Sequence, residues 1–389
     1  MPVLVEYERL SHPGRVNSAP TPHTVSPIAD GATVRTRGGA NPALARIVSE
    51  FEGAGSGYLA ACTGGLPPSS AVLAAQDDLA LWRSGAATPL HYDAAVTRVR
   101  SAFARIAGVD PARVAIGSQT SAFVAMIAAS VPDGAEVLCV DGDFSSVVFP
   151  FLQHERRGVR VRHVPLAALP DAVSDETWLV AYSLVQSATG EVADARSIRA
   201  AADRAGARVL CDATQAAGWL PLESWTADAI VCHTYKWLCA PRGVCLLAVD
   251  EDFARELIPV QAGWYAGDDP WASCYGPSAP LATDARRFDV SPAWQAMAGA
   301  APALELFAET DIHAVFKHDV TLADALSEAV GTDARGSAIV TWHDPDREDL
   351  ARMTAAGIVA SGRAGRARVA FHVWNDESDL DRVLRALAR

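Results

Sequence analysis

The sequence has no apolar run of the ~18–20 residues that a membrane-spanning helix needs. Positive charge is also scarce, because 33 Lys and Arg stand against 46 Asp and Glu and leave a net charge of −13. Proteins that bind nucleic acid or anionic membranes concentrate Lys and Arg, so neither partner is expected. The first residues, "MPVLVEYERLSHPGRV", have an early acid and no long apolar segment. We therefore expect no secretory signal and a cytoplasmic location.

Metal-ligand spacing is missing as well. None of the seven cysteines forms a C-x-x-C pair, and the grouping of Cys232, His233 and Cys239 fits no tetrahedral site well. The odd number of thiols favours reduced, mostly buried cysteines over a disulfide framework. Cys239, next to the lysine, is expected to be a small core residue, with a reactive thiol as the alternative. No metal site is predicted.

The chain is long enough for two or three structural units, and its first 57 residues differ from the rest. Residues 1–57 are rich in Pro, Gly, Ser and Thr and contain one short helical stretch, "NPALARIVSEFEG". We predict either an arm that packs on the body or on a partner subunit, or a flexible tail. The "GAGSG" at residues 53–57 follows a helix-like stretch instead of a strand, so it lacks the context of a dinucleotide-binding loop.

Residues 58–300 alternate between helical and strand-like patterns. Helical spacing is seen in "YDAAVTRVRSAFARIAG" and "ARSIRAAADRAGA", and short apolar runs include "EVLCVDGDF", "TWLVAYSLV", "RVLCDATQ" and "DAIVCHTY". Such an alternation predicts an α/β fold with a mostly parallel sheet that is covered on both faces. Ligands bind at the carboxyl ends of the strands in these sheets, where Ser183, Asp212 and His233 are predicted to lie.

Residues 301–389 are predicted to form a smaller α+β domain. A helical stretch, "PALELFAETDIHAVFKHDVTLADALSEAV", is followed by the strand-like pieces "SAIVTWH", "GIVAS" and "RVAFHVW". The chain then closes with the helical "ESDLDRVLRALAR". The architecture expected is thus a large α/β domain with a small domain after it.

One lysine stands out in "CDATQAAGWLPLESWTADAIVCHTYKWLCAPRG". Lys236 follows the apolar "AIVCH" and is flanked by Tyr235 and Trp237, so we expect its amine to lie where water is scarce. Burial makes the charged amine costly and lowers its pKa. Such an amine is suited to act as a nucleophile or as a Schiff-base partner.

A Schiff base with an aromatic aldehyde cofactor requires further groups, and the sequence offers a candidate for each. Asp212, at a strand end, could pair with a ring nitrogen, and Gln215 could donate to a ring oxygen. The Gly turn in "IGSQTSAF" could hold a phosphate at the amides of Ser118 and Gln119. Phe144 in "VDGDFSSVVFPF" could stack on the ring. A guanidinium is also needed to grip a substrate carboxylate.

With these motifs, residues 58–389 resemble the class V aminotransferase family of fold-type I pyridoxal-phosphate-dependent enzymes, on its kynureninase, cysteine lyase and epimerase side. The "D-A-T-Q" and "Y-K-W-L-C-A-P-R-G" stretches are similar to the family's cofactor motifs. "RRFDVSPAWQAMAGAAPALEL" resembles the segment that reaches the phosphate of the other subunit. "ARVAFHVWNDESDLDRVL" is similar to the family's "R-x-S-x-x-x-Y-N-T-x-x-x-D" tail, whose arginine grips the substrate carboxylate.

The resemblance implies a pyridoxal 5'-phosphate cofactor, a homodimer and a role for each matched residue. Lys236 would be the Schiff-base lysine and shuttle the Cα proton. The other cofactor roles fall on Asp212 at the ring nitrogen, Gln215 at the ring oxygen, Phe144 stacked on the ring, Ser183 or Gln186 near it, His233 near the cofactor or in the core, and Ser118, Gln119 and Tyr235 at the phosphate, with Ser291 from the neighbouring subunit. Arg368 would grip the substrate carboxylate, and Thr63 would lie in the substrate site.

Departures from the family pattern reduce the number of reactions that are expected. "GIVASGRAGRARVAF" lacks the catalytic cysteine that cysteine desulfurases carry before the arginine, so persulfide formation by that route is not expected. "SPAW" stands where many members have "GTP", and Thr63 stands where relatives often have Asn or Ala. The resemblance thus implies a small-molecule amino-acid or amino-acid-conjugate substrate and an altered substrate site.

We predict Cα–H abstraction by Lys236 and β-elimination from a cysteine S-conjugate, giving a thiol, pyruvate and ammonia, in bacterial secondary metabolism such as antibiotic biosynthesis. Residues 1–57 could line a pocket for a bulky conjugate. Three alternatives remain open: a decarboxylating oxidative deaminase of such a conjugate, an aminotransferase or epimerase, and a scaffold without turnover. The scaffold is disfavoured because Lys236, Asp212 and Arg368 are all present.

Overall fold

The computed structural model describes residues 42–51, 54–55, 57–277 and 280–388, and residues 39–389 make up one compact unit. Most of the predicted N-terminal arm therefore lies outside the described residues. Its last part is helical from Pro42 to Ser49, and Leu44, Ile47 and Phe51 are buried in the main core. The helical stretch predicted there is thus present and packs on the body.

A seven-stranded sheet forms the centre of the fold. Its strands are β1 (Val114–Gly117), β2 (Glu136–Val140), β3 (Arg160–Val164), β4 (Thr177–Ser183), β5 (Arg208–Asp212), β6 (Ala229–His233) and β7 (Cys245–Val249), in the order β1-β7-β6-β5-β4-β2-β3. Strand β7 runs antiparallel to both neighbours, and the other pairs are parallel. The predicted α/β fold with a mostly parallel sheet is confirmed. The apolar runs become strands because both faces of the sheet are buried.

Helices cover both faces of this sheet, and further helices follow it in the chain as far as Leu387. They are α1 (Ala45–Ser49), α2 (Ser69–Ser84), α3 (Pro89–Ala107), α4 (Thr120–Ser130), α5 (Ser145–Leu152), α6 (Leu169–Ala172), α7 (Ala195–Ala205), α8 (Glu251–Glu256), α9 (Trp294–Ala308), α10 (Ile312–Val330), α11 (Glu348–Ala355) and α12 (Glu377–Leu387). The long helical pattern predicted after residue 301 is split, because Asp311 caps the N-terminus of α10 through the amides of His313 and Ala314.

A second, antiparallel sheet contains β8 (Ile339–His343), β9 (Ser361–Arg363) and β10 (Arg366–Ala370) in the order β8-β10-β9. The predicted strand "GIVAS" is mostly wrong: Gly357 turns the chain at φ 71°, Val359 makes only an isolated bridge to Tyr58, and β9 begins at Ser361. The domain boundary predicted at residue 300 falls inside α9, which packs on α2 and α3. A division into a large and a small domain stays a prediction.

The strand register brings chemical groups to one edge of the large sheet. Ser183 lies opposite Asp212 across β4 and β5, and β6 ends beside them at His233. The segment after residue 57 runs alongside the small sheet, since Ala60 bridges Ala370 in parallel. This pairing carries Thr63 to the same edge.

A buried ion pair fixes the loop between α8 and α9. Asp289 is 1% exposed, accepts from the Ile116 amide at 2.8 Å and lies 2.6 Å from the Arg100 guanidinium. Burial raises the pKa of Asp289 to about 6, although Arg100 opposes that rise. The loop that carries Ser291 is therefore tied to β1 just before the Gly turn at Ser118.

Substituting Asp289→Ala should lower the free energy of unfolding by about 3–5 kcal/mol, because Arg100 would be left buried without its partner. Glu176→Ala is the matched control, since Glu176 forms an exposed pair with Arg160 and should cost only about 0–1 kcal/mol. Chemical denaturation of the wild type and of the two variants measures both losses in the free energy of unfolding. Equal losses in the two variants would contradict this account of the loop.

Candidate active site

Lys236 lies in the turn after β6, and its amine is buried. The residue is 6% exposed, with Nζ 5.4 Å from the ring centroid of Phe144 and 5.8 Å from that of Tyr235. Among the described residues, no hydrogen-bond or ion-pair partner contacts this amine. Burial lowers the pKa of Lys236 to about 8, while the charge of Asp212 acts in the opposite direction. The amine is therefore shielded from water, as the sequence predicted.

Close backbone contacts hold the lysine turn in place. A Cβ atom at Gly65 would collide with the Lys236 carbonyl oxygen, and one at Gly218 would collide with that of Trp237. The Gly65 amide also donates to the Tyr235 carbonyl at 2.9 Å. Only glycine allows two neighbouring segments to approach the turn this closely.

Asp212 closes β5 with its carboxylate at the same edge. It is 3% exposed, and Oδ1 accepts from the Thr214 amide at 2.8 Å. Burial raises the pKa of Asp212 to about 6, hydrogen bonds from Thr214 and the charge of Lys236 lower it, and Asp143 raises it. A cation placed beside Asp212 would keep it ionised.

Asp143 is a site residue that the sequence analysis missed. Its carboxylate accepts from the Ser183 amide at 2.8 Å, from Ser183 Oγ at 2.6 Å and from Gln186 Nε2 at 3.2 Å. It directly precedes Phe144, whose ring is 42% exposed. An acid just past the end of β2 was the available signal. The structure thus brings Ser183, Gln186 and Phe144 together around Asp143.

Gln215 is buried and makes a different set of contacts from the one predicted. Its Nε2 donates to the Cys62 carbonyl and to Ser187 Oγ, each at 3.0 Å, and its Oε1 accepts from Trp237 Nε1 at 2.8 Å. Both amide hydrogens are thus engaged within the protein. Donation to a ring oxygen requires one of these contacts to be exchanged, so that role stays a prediction.

The residues predicted to hold the phosphate lie at the start of α4 and in the lysine turn. Helix α4 begins after Ser118 and Gln119 without a side-chain cap, so its first amides are free to bind an anion. His233 packs edge-on against Tyr235 at 4.5 Å, and the Arg242 guanidinium lies 4.7 Å from the same ring. Arg242 was not identified from the sequence.

His233 is uncharged at neutral pH. Burial lowers its pKa to about 4, with further lowering by Arg242 and Lys236, and within the described ranges its buried Nε2 has no hydrogen-bond partner. Ser291 is exposed in the loop before α9, and its role across a subunit boundary stays a prediction.

Arg368 is buried in β10 with only neutral acceptors. Its Nε donates to Ser361 Oγ at 3.0 Å, Nη1 donates to the carbonyl and the hydroxyl of Ser187 at 2.6 and 2.9 Å, and Nη2 donates to Thr63 Oγ1 at 3.0 Å. Burial lowers its pKa, and no carboxylate of the described residues forms an ion pair with it. Ser187 and Ser361 were missed, because contacts across 181 and seven positions leave no local pattern.

Cys62 also lies in this site, and the sequence analysis did not single it out. Its thiol is 1% exposed and is close enough to Arg368 and Lys236 to influence the pKa of both. The hairpin of β9 and β10, by contrast, contains no cysteine. The other buried cysteines have raised pKa values or pack in the core.

These residues fit a lysine-anchored pyridine cofactor with a phosphate. Within the described residues, the buried amine of Lys236 has no hydrogen-bond partner, Asp212 has no cation bonded to it and the start of α4 has no side-chain cap, and such a group would supply all three counterparts. Phe144 provides an aromatic face beside the amine. The fold and site together define an enzyme of the pyridoxal-phosphate class.

The chain belongs to the aminotransferase class-V family, which matches residues 83–361. It is a pyridoxal-phosphate-dependent enzyme that acts on an amino-acid substrate. An uncharacterized aminotransferase, YcbU, of Bacillus subtilis (strain 168) is 27% identical over 309 residues, which is 74% of this chain and 82% of that protein. Isopenicillin N epimerase of Streptomyces clavuligerus is 31% identical over 214 residues, or 50% of this chain and 51% of the epimerase.

Solved structures share the fold. The cystine C–S lyase C-DES, in complex with its reaction product cysteine persulfide, has a TM-score of 0.78 at 21% identity over 87% of this chain and 99% of the lyase. The cysteine desulfurase CsdA of Escherichia coli has a TM-score of 0.76 at 18% identity over 89% of this chain and 97% of CsdA. The predicted fold-type I class is confirmed.

Membrane and metal features can be stated for the described ranges only. No helix there has the length and apolarity needed to cross a bilayer. The same residues hold no grouping of three or more His, Cys, Asp or Glu side chains that could bind a metal ion.

The lowered pKa of Lys236 predicts how cofactor-free protein captures added pyridoxal phosphate. Capture needs the neutral amine, so its rate should rise with pH, reach half its maximum near pH 8 and level off above that, whereas a lysine at its ordinary 10.5 would keep accelerating. The sequence has only one other lysine, Lys317, which is exposed. Lys317→Arg should leave the profile unchanged and Lys236→Arg should abolish capture; rates still climbing above pH 9 would contradict the assignment.

Proposed function

We propose that the enzyme is a C–S β-lyase that acts on a cysteine S-conjugate and releases a thiol, pyruvate and ammonia. The observation that carries the proposal is the pairing of a buried amine of lowered pKa, Lys236, with a buried guanidinium, Arg368, that has only neutral protein contacts. Together they suit an α-amino acid: the first can take the Cα proton and the second can bind the carboxylate.

Arg368 binds the substrate carboxylate. A buried guanidinium without an anionic partner gains most from a charged acceptor, since charge-assisted hydrogen bonds are stronger than neutral ones. Thr63 Oγ1 accepts the hydrogen bond from Nη2 of Arg368. Because Thr63 is exposed on its loop, a carboxylate oxygen can replace its hydroxyl as the acceptor. Ser187 and Ser361 fix the rest of the guanidinium and set the direction from which the substrate approaches.

Lys236 moves the proton. When bound, the cofactor withdraws electrons from the substrate Cα through its protonated ring. Asp212 holds that ring nitrogen in the protonated form, and a cation there offsets the burial that raises the pKa of Asp212. Nζ of Lys236, poised near pKa 8, takes the Cα proton and can return a proton to the departing sulfur. Consumption of one water balances the release of thiol, pyruvate and ammonia.

The hairpin of β9 and β10 favours release of the sulfur as a free thiol. It carries no cysteine near Arg368 that could accept sulfur. The similarity of fold to the cystine C–S lyase C-DES supports the same class of chemistry, and the likeness to isopenicillin N epimerase supports a place in secondary metabolism. We further propose a homodimer in which Ser291 reaches the partner's phosphate region.

A product assay tests the reaction. With an S-alkyl-cysteine, the enzyme should yield pyruvate, ammonia and thiol in equal amounts; Lys236→Ala should yield none, and Lys317→Ala should match the wild type. An aldehyde with carbon dioxide and oxygen uptake would replace the proposal by the decarboxylating deaminase. A stoichiometric need for an α-keto acid would indicate an aminotransferase, racemisation an epimerase, and sulfur retained on Cys62 a desulfurase.

Arg368→Lys should raise KM about 10- to 100-fold with a smaller change in kcat, because the charged contacts to the carboxylate are weakened. Arg385→Ala removes an exposed arginine of α12 and serves as the control. Steady-state kinetics over a range of substrate concentrations separates the two constants. A fall in kcat with an unchanged KM would show that Arg368 does not bind the substrate.

A further inference from the structure

A fully buried histidine and aspartate lie directly behind the lysine turn. His372 follows β10, four residues after Arg368, and Asp319 lies on α10; both side chains are 0% exposed. His372 Nδ1 is 3.3 Å from Asp319 Oδ2, and Nε2 is 3.0 Å from the Trp237 carbonyl oxygen. None of the roles described above uses this pair.

The contacts fix where the protons lie. A carbonyl oxygen can only accept, so Nε2 of His372 carries a hydrogen and donates to Trp237. Nδ1 faces the Asp319 carboxyl group at 3.3 Å, and among the described residues that nitrogen has no other polar neighbour as a hydrogen-bond partner. Burial raises the pKa of Asp319, whereas His372 lowers it. Because Nε2 carries the hydrogen, the bond from His372 to Trp237 does not depend on whether Nδ1 is also protonated.

Water cannot replace the contact to Trp237. The imidazole is enclosed by the rings of Trp237, Trp374 and Phe307, with centroids 5.2, 4.5 and 5.6 Å away. The Cys239 thiol lies 3.8 Å from Nε2 and also 3.8 Å from the Trp237 carbonyl oxygen, where it can act only as a weak donor. Without His372, this weak thiol contact would be the one side-chain donor to the Trp237 carbonyl among the described residues.

The lysine turn needs such an anchor. Cys239 has a φ of 55°, a left-handed conformation that is unfavourable for a residue other than glycine. Trp237, next to Lys236, is held at its carbonyl by His372 and at its indole by Gln215. Gln215 in turn contacts Ser187, which also binds Arg368. The lysine turn is thus connected to Arg368, the residue proposed to bind the substrate carboxylate, through Gln215 and Ser187.

We propose that His372, anchored by Asp319, is a positioning residue whose Nε2–H holds the Trp237 carbonyl and thereby sets the orientation of the Lys236 amine. This inference rests on the proposed role of Lys236 in the active site. The buried pair of Asp319 on α10 and His372 just after β10 thus fixes the geometry of the cofactor-binding turn, in addition to any part it plays in stability.

Two substitutions of His372 distinguish its contact with Trp237 from its contact with Asp319. The amide of Gln can place a donor where Nε2 lies, facing Trp237, and that of Asn can place one where Nδ1 lies, facing Asp319. Both lose the same ring stacking, so they are matched controls for packing. In His372→Asn, hydrogen exchange of residues 235–240 and release of the cofactor should each accelerate about tenfold, as expected for loss of one buried hydrogen bond. In His372→Gln, both should stay within about twofold of the wild type.

A purely structural ion pair gives the opposite pattern. Thermal stability and the exchange of the turn would then both be restored by Asn and not by Gln, which would overturn the proposal, as would equal effects of the two variants. The pH midpoint of the visible absorbance band of the lysine-bound cofactor should also shift in His372→Asn and not in His372→Gln. That band reports on the lysine environment, which a distant structural defect leaves unchanged.

The tests remain decisive if a variant fails to fold or if Lys236 has another role. In wild-type protein, ¹⁵N shifts of His372 should show a protonated Nε2 from pH 6 to pH 9, and an unprotonated Nε2 would overturn the proposal without any variant. Retention of the visible band in Lys236→Arg would refute the proposed function. The exchange rates of residues 235–240 would still decide whether His372 holds the turn.

Discussion

Three charged side chains buried at the carboxyl edge of the large sheet constrain the rest of this molecule. Lys236, Asp212 and Arg368 are each at most 6% exposed, and the protein supplies neither the amine nor the guanidinium with an ion-pair partner among the described residues. Burying charge in this way costs stability, so the surrounding structure must hold it in place. The binding energy of an anionic, aromatic cofactor and of an amino-acid substrate is what offsets that cost.

The two sheets cooperate at this edge. The parallel strands contribute Ser183, Asp212 and the lysine turn, whereas Arg368 comes from the antiparallel sheet. Hydrogen bonds through Ser187, Gln215 and Trp237 join the two contributions, and the one from Arg368 to Ser187 spans 181 residues of chain. The residues proposed to anchor the cofactor and the substrate therefore belong to one hydrogen-bond network, so a shift in one is transmitted to the other.

Much of the site was predictable because local patterns report strand ends and burial. Apolar runs that stop at Asp212 and His233, and a lysine between two aromatics, indicated both position and chemistry. Asp143, Ser187, Ser361 and the pair of Asp319 and His372 were not found. Each acts through a partner 7 to 181 positions away, and hydroxyls or buried acids with distant partners have no periodic signature.

The sequence by itself determined the class of fold, the lysine and the aspartate, since hydrophobic periodicity and strand-end chemistry are local properties of a chain. Only the tertiary structure decided which groups surround them. Gln215 donates both its amide hydrogens to acceptors within the protein, and His372 faces the Trp237 carbonyl. Arg368 donates to three hydroxyl groups and to the Ser187 carbonyl. Such choices depend on how two sheets and a short N-terminal segment meet, and that geometry is fixed by packing of the whole core rather than by any stretch of residues.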